Sequence, residues 1–313
     1  MSSQGSDFVV TKEHGRFAEF CEACRRYRYI GLCYGAPGVG KTLSARSYAQ
    51  WDTMEGSQPV SKASATALTA LGDSHTVFYT PTVVHTPGQV DRDIAQLRRG
   101  LHAIHREQID REERSQVDTV LKHEKHKQDQ HFLTKGWPPD RLPPGPRALG
   151  PLYEQVTEVY YHRRKALPDP TTLIVLDEAD RLKVIALEQV RAIFDAGGIG
   201  LVLIGMPGIE KRLARYPQLY SRVGFVHAFR PLSAAEVRGL LQQKWLPFGV
   251  TLPEDGITDE EALAAIIRIT GGNFRLLQRL LTQIARLVEI NALQTVTSQA
   301  VETARESLVI GTV

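Results

Sequence analysis

The chain has 313 residues, 42% of them hydrophobic and 23% charged, a balance that builds a packed core and leaves a solvated surface. Its net charge of +3 permits a polyanionic partner without requiring one. Three cysteines are too few for a disulfide framework, no apolar run reaches the length of a membrane span, and Met1–Asp7 is polar, so the expected setting is the cytoplasm, with no membrane partner.

In chain order, residues 8–28 read as a helix ending in the basic run Arg25-Arg26-Tyr27-Arg28. Its Cys21-Glu22-Ala23-Cys24 places two thiols one helical turn apart. With no second such pair to complete four metal ligands, packing against a core is the expected role. The apolar run Tyr29–Tyr34 follows as a strand, then Gly35-Ala36-Pro37-Gly38-Val39-Gly40-Lys41-Thr42, then Leu43–Ala49 as a helix. Strand, glycine-rich loop and helix form the context in which backbone N–H groups cradle phosphates at a helix N-terminus. In that setting Lys41 reaches the outer phosphates as a point charge, and the Thr42 hydroxyl holds Mg²⁺.

Residues 51–73, rich in Ser, Ala, Thr and Gly, read as loop with a weakly formed helix or turn. Thr76–Thr80 reads as a strand closed by Pro81. Gln89–Ile104 reads as a helix with Val90, Ile94, Leu97, Leu101 and Ile104 on one face. From about 105 to 150 the chain is first almost wholly charged and then proline-rich (Gly136-Trp137-Pro138-Pro139, Pro143-Pro144-Gly145-Pro146). We read it as an insertion: a solvated helix leading into a stiff connector. His102, His105, His123, His126 and His131 fall in or beside it. Their spacing invites a metal reading, but solvated helix positions account for them equally well. Leu152–Leu167 reads as a helix ending in His162-Arg163-Arg164-Lys165.

The run Thr171–Leu176 is apolar throughout, as expected of a strand buried on both faces, and ends in Asp177-Glu178-Ala179-Asp180. Acids at the carboxyl end of such a strand lie where ligands bind in open α/β sheets. Asp177 is the expected Mg²⁺ holder and Glu178 the group that orients the attacking water. Leu182–Ala196 reads as a helix and Gly200–Gly205 as a buried strand. Ile209–Tyr220 reads as helix broken at Pro217, and Val223–His227 as a last strand. After Pro231 the period is helical, opening on a capping box between Ser233 and Glu236 and continuing near 259–270, 273–291 and 298–308. The expected architecture is a P-loop α/β domain, residues 1–231, with a parallel sheet flanked by helices, followed by a small all-helical lid, residues 232–313.

These motifs resemble AAA+ ATPases and, within them, the transposition target regulators of the MuB/TnsC group. The resemblance rests on the glycine loop, on Leu173–Asp180 with Arg181-Leu182 after it, on Gly198–Gly205, on Leu219-Tyr220-Ser221-Arg222-Val223 and on Gly271-Gly272-Asn273-Phe274-Arg275-Leu276-Leu277. It implies an ATP- and Mg²⁺-dependent protein that polymerises as a filament or ring on duplex DNA without sequence preference and activates a partner transposase. In the same reading Arg222 is the arginine finger supplied to a neighbour's γ-phosphate, with Arg215 as its rival, and Arg275 is the sensor-2 arginine. DNA contacts are expected from Arg92, Arg98, Arg99 and Lys183. The pattern departs from the family in three places. Met206 stands where a polar sensor-1 residue is usual, which implies slow hydrolysis. The stretch between Lys41 and Asp177 is longer than such a core needs. About 30 residues precede the P-loop, leaving no room for the N-terminal helix-turn-helix domain of the Mu protein. The alternatives are an AAA+ ATPase that remodels or loads a protein partner and a nucleotide-gated interaction switch.

Overall fold

The computed structural model describes residues 8–58, 60–135, 151–242, 257 and 259–308. In chain order the elements are α1 (Lys12–Tyr27), β1 (Ile30–Tyr34), α2 (Lys41–Tyr48), α3 (Trp51–Gly56), α4 (Ala65–Leu71), β2 (Thr76–Tyr79), α5 (Pro87–Lys135) and α6 (Pro151–Ala166). There follow β3 (Leu173–Leu176), α7 (Val184–Asp195), β4 (Gly200–Gly205), α8 (Ile209–Leu213), α9 (Pro217–Tyr220) and β5 (Val223–Ala228). Helices α10 (Ala234–Leu241), α11 (Glu260–Thr270), α12 (Phe274–Ile290) and α13 (Ser298–Glu306) complete the described chain. Two units emerge, one of residues 1–49, 78–91 and 172–313, the other of 50–77 and 92–171.

The first unit is built on a sheet ordered β2-β3-β4-β1-β5, with β1 parallel to β4 and β5, and β3 parallel to β4. The apolar runs of β1, β3 and β4 are central and buried, whereas β5 at the edge alternates between half-buried and exposed residues. Helix α1 packs so closely on the sheet that a Cβ at Gly200 would lie 2.3 Å from the Cys24 carbonyl oxygen, which only glycine avoids. All three cysteines are buried free thiols in this layer, and burial pushes them up, Cys24 to about 12, so they are inert packing groups at neutral pH.

The described residues from 232 to 308 share an apolar core, with Leu240, Ile266, Leu277, Leu280, Leu281, Ile284 and Val301 among its buried members. The Ser233–Glu236 capping box forms in both directions, and Asp259, Asn273 and Thr297 cap the next three helices with side-chain oxygens.

The second unit departs from the local reading of the sequence. The stretch 51–73 forms α3, a 3₁₀ turn (Val60–Lys62) and α4, with Met54, Ala63, Leu68 and Leu71 buried. Helix α5 does not stop at Ile104 but runs to Lys135. The first part of the expected insertion is therefore an extension of that helix, and it carries i,i+4 pairs such as Arg111–Glu107 and Lys122–Asp118. The charged end of α6 pairs with α5: Arg163 bonds Glu112 at 2.8 Å, and Arg164 bonds Asp110 at 2.9 Å and also Glu113. The expected proline-rich connector, 136–150, lies outside the described residues.

Candidate nucleotide site

The first unit brings the two motifs to one edge of the sheet. Thr42 opens α2 directly after the glycine loop, and its hydroxyl donates to Asp177 Oδ2 at 2.6 Å. Asp177 is only 3% exposed at the end of β3, where its own N–H donates to the Tyr79 carbonyl. Lys41, also buried, donates through Nζ to the carbonyls of Gly35 at 2.6 Å and Ala36 at 2.9 Å. Burial lowers its pKa, while Cys33, Asp177 and Asp180 pull the other way and Arg275 adds repulsion. Asp177 and Arg275 thus lie within electrostatic reach of the loop lysine. Lys41, next to Thr42 in the chain, and Asp177 are thereby held close together.

Glu178 adopts a left-handed backbone, φ 50°, which turns its N–H back onto Asp177 Oδ1 at 2.8 Å. Non-glycine residues in this region carry strain and cluster at functional sites. Its carboxylate pairs with Arg181, whose guanidinium also reaches the Pro81 carbonyl. The following Asp180 accepts the N–H of Met206 at 2.6 Å, and Arg212 braces the same turn through the carbonyls of Asp180 and Leu182. Met206, the residue expected at the sensor-1 position, contributes its backbone amide to this turn and is itself 41% exposed.

The helical region meets the loop from its other side. Asn273 Nδ2 donates to the Pro37 carbonyl at 2.8 Å, the Arg275 amide donates to the Gly38 carbonyl at 2.9 Å, and Asn273 Oδ1 caps α12. Gly38 is required twice over. Its φ is +81°, and a Cβ there would stand 2.6 Å from Asn273 Oδ1. Asn273 did not stand out among the candidate ligands of the sequence, although an Asn before an apolar helix is a readable N-cap. Asp180 and Arg181 were part of the motif, but their reach to the Met206 amide and the Pro81 carbonyl was not readable from it, and Arg212 carried no signal because its partners are the distant carbonyls of Asp180 and Leu182.

The remaining candidates are scattered. Arg222, in the turn before β5, sits on Asp195 of α7. Arg98 pairs with Asp169 at 2.8 Å, while Arg92 and Arg99 are exposed on α5 of the second unit. Lys183 is an exposed N-cap residue of α7 in the first unit. Among the described residues no group of three or more His, Cys, Asp or Glu is placed to hold a metal ion, and no helix is long and apolar enough to cross a membrane.

A parallel sheet with a glycine loop after β1, a lysine and threonine opening α2, and an acid pair ending β3 defines a P-loop nucleotide-binding protein. The family model of the AAA domain matches residues 24–213, and the chain belongs to that family. A potential ATP-binding protein of Staphylococcus aureus is 38% identical over 322 residues, covering 99% of both chains. The Mu-like prophage FluMu DNA transposition protein B of Haemophilus influenzae is 33% identical over 114 residues, covering 34% of this chain and 36% of that one. Among solved structures, the Thermotoga maritima RuvB Holliday junction branch migration motor aligns with a TM-score of 0.50 at 13% identity, covering 97% of this chain and 71% of its own. The Aeropyrum pernix ORC1 protein in complex with DNA aligns with a TM-score of 0.50 at 18% identity, covering 97% and 67%. These two likenesses are of fold.

Proposed function

We propose that this protein is an ATP-dependent, DNA-binding ATPase that assembles on duplex DNA and prepares it as a target for a partner transposase. The observation that carries the nucleotide part is the 2.6 Å contact between Thr42 and Asp177, a hydroxyl and a buried carboxylate on opposite motifs. That donor set suits Mg²⁺, which takes oxygen ligands and keeps several of its waters. Bound there with the nucleotide, the ion would neutralise charge on the phosphate oxygens.

Within the chain, Gly35–Val39 offers its backbone N–H groups to the phosphates, with Gly40 and Leu43 flanking Lys41 and Thr42 at the helix start. Lys41 contributes its charge to the outer phosphates. Glu178 orients the attacking water once it leaves Arg181, a half-exposed pair that holds it by about 1 kcal/mol or less. Arg275, on a helix joined to the P-loop through Pro37 and Gly38, senses the phosphate end from a lid comprising residues 232–313. Arg222 acts in trans on a neighbouring subunit's nucleotide. DNA is gripped through phosphates by basic residues of the set Arg92, Arg99 and Lys183, with Arg98 committed to Asp169.

The partial relation to a Mu-like transposition protein favours the target-DNA role over protein remodelling. Duplex binding by the full chain, with a non-hydrolysable ATP analogue and across a salt series, tests it. The expected result is cooperative binding to arbitrary sequence that requires nucleotide and weakens with salt, with a log–log slope of about −0.9 per phosphate contacted. Binding that ignores nucleotide, or its absence at low salt, overturns the proposal.

A further inference from the structure

Helix α7 and the turn before β5 carry an ion chain that the nucleotide site does not explain. Glu188, Arg191 and Asp195 lie on one face of α7, and Arg191 bridges them, donating to Glu188 at 2.7 Å and to Asp195 Oδ2 at 2.7 Å. Arg222 then grips the same carboxylate side-on: Nε meets Asp195 Oδ1 at 2.6 Å and Nη2 meets Oδ2 at 2.9 Å. Its Nη1 donates to the carbonyl of Gln218 one turn earlier.

A guanidinium has five N–H groups in a rigid fork. Side-on pairing uses the Nε–H and one Nη2–H, and the Gln218 carbonyl takes one Nη1–H. Two hydrogens are left over, one on each Nη, and the two Nη atoms together form the far, end-on edge of the fork. That end-on edge matches two oxygens of a phosphate. The Arg222 side chain remains 32% exposed, so it is within reach of a ligand from outside the subunit. A long, rotamer-rich side chain at a subunit surface loses freedom when it reaches a phosphate, and here that freedom is already lost in the free subunit.

We propose that Asp195 is a positioning residue for Arg222: it fixes the guanidinium by its side edge and leaves the end edge aimed outward for a triphosphate bound by a neighbouring subunit. The inference rests on the reading of Arg222 as a residue acting in trans. It assigns Asp195 to holding that group ready, as opposed to locking it away.

The test is steady-state ATP hydrolysis by the full-length protein assembled on duplex DNA, comparing Asp195→Asn, Asp195→Glu and Arg222→Ala with the parent. Asp195→Asn is expected to lower kcat by about tenfold with KM for ATP within about twofold, the signature of an interaction made in the transition state. Asp195→Glu, which keeps the charge, recovers most of that loss, and nucleotide binding by unassembled subunits is unchanged in both. Mixing Asp195→Asn with Glu178→Gln subunits is expected to give more turnover than the mean of the two alone. A site built from one subunit's Glu178 and the other's well-held Arg222 is intact, and general damage to the fold would not produce this. If Asp195→Asn matches or exceeds the parent while Arg222→Ala is inactive, Asp195 is a competitor or a bystander and the positioning role is overturned. If Arg222→Ala itself keeps full turnover on DNA, the trans reading fails, and the inference about Asp195 fails with it for that separate reason.

Discussion

The nucleotide edge of the first unit and the helix pair of the second use the same kinds of polar residues in opposite ways. At the edge, Lys41 and Asp177 are buried, and each is held by partners at fixed distances: two carbonyls for the lysine, a hydroxyl and an amide for the acid. In the second unit Arg163 and Glu112 are half-exposed, and most of the charge along α5 faces water. A charge removed from solvent needs every partner it has, so its position is exact and its loss is expensive. A charge that stays in water keeps its hydration, and its pairing contributes little. The first region therefore holds its key polar groups in fixed places, as a binding site requires, whereas the exposed ion pairs of the second do not.

The sharpest way to break this contrast is Glu178→Gln. Steady-state kinetics are expected to show kcat falling by about 100-fold or more, with nucleotide affinity retained, because the amide cannot activate water. An equal loss of affinity would mean that Glu178 holds the ligand instead. Next comes Gly38→Ala, which forces an L-residue to φ +81° and drives its Cβ against Asn273. Stability measured by denaturant is expected to fall by about 1–3 kcal/mol, and Asn273→Ala in the same chain is expected to return part of it. Strict additivity of the two changes would disprove the contact.

A smaller effect comes from pH in the second unit. His105 donates from Nε2 to the Ser74 carbonyl at 2.8 Å, and burial lowers its pKa, with the Ser74 bond opposing. The unfolded chain therefore takes up the proton first. Stability is unaffected above the ordinary histidine value of about 6.5 and declines as pH falls from there through the lowered folded value. Thermal melts from pH 7.5 to 5 should show that decline, with His105→Gln flattening part of it. His14 and His227 of the first unit, also lowered by burial, supply the same sign. A profile that His105→Gln leaves untouched would relocate the effect to them. Least of all, Arg163→Ala is expected to cost under about 1 kcal/mol, shrinking further in salt. A larger loss would mean that the helix pair depends on its ion pairs far more than their exposure allows.

Much of the first unit was legible because its signals are local. Glycines with a following lysine and threonine, a fully apolar run ending in two acids, and caps three residues ahead of a backbone amide all act over a few positions. The second unit was less so. Between 51 and 73 the composition announces no more than a weakly formed helix or turn, where the structure has two helices. Gln108 and Arg111, far along the chain, hold the Leu68 and Ala63 carbonyls, and burial of Leu68 and Leu71 does the rest. Helix α5 outruns its apolar stripe because no proline, glycine pair or cap interrupts it before the described part ends at Lys135, and i,i+4 charges sustain it.

By itself the sequence determined that a phosphate-binding loop, an acid pair and a run of helices opening on the Ser233–Glu236 cap would form, since each depends on residue types a few positions apart. Only the tertiary structure decided that Thr42 meets Asp177, that Asn273 and Arg275 come to Pro37 and Gly38, and that Asp195 takes the side edge of Arg222. Those contacts join segments distant in the chain. Their geometry follows from strand order and helix packing, which no short window of residues encodes.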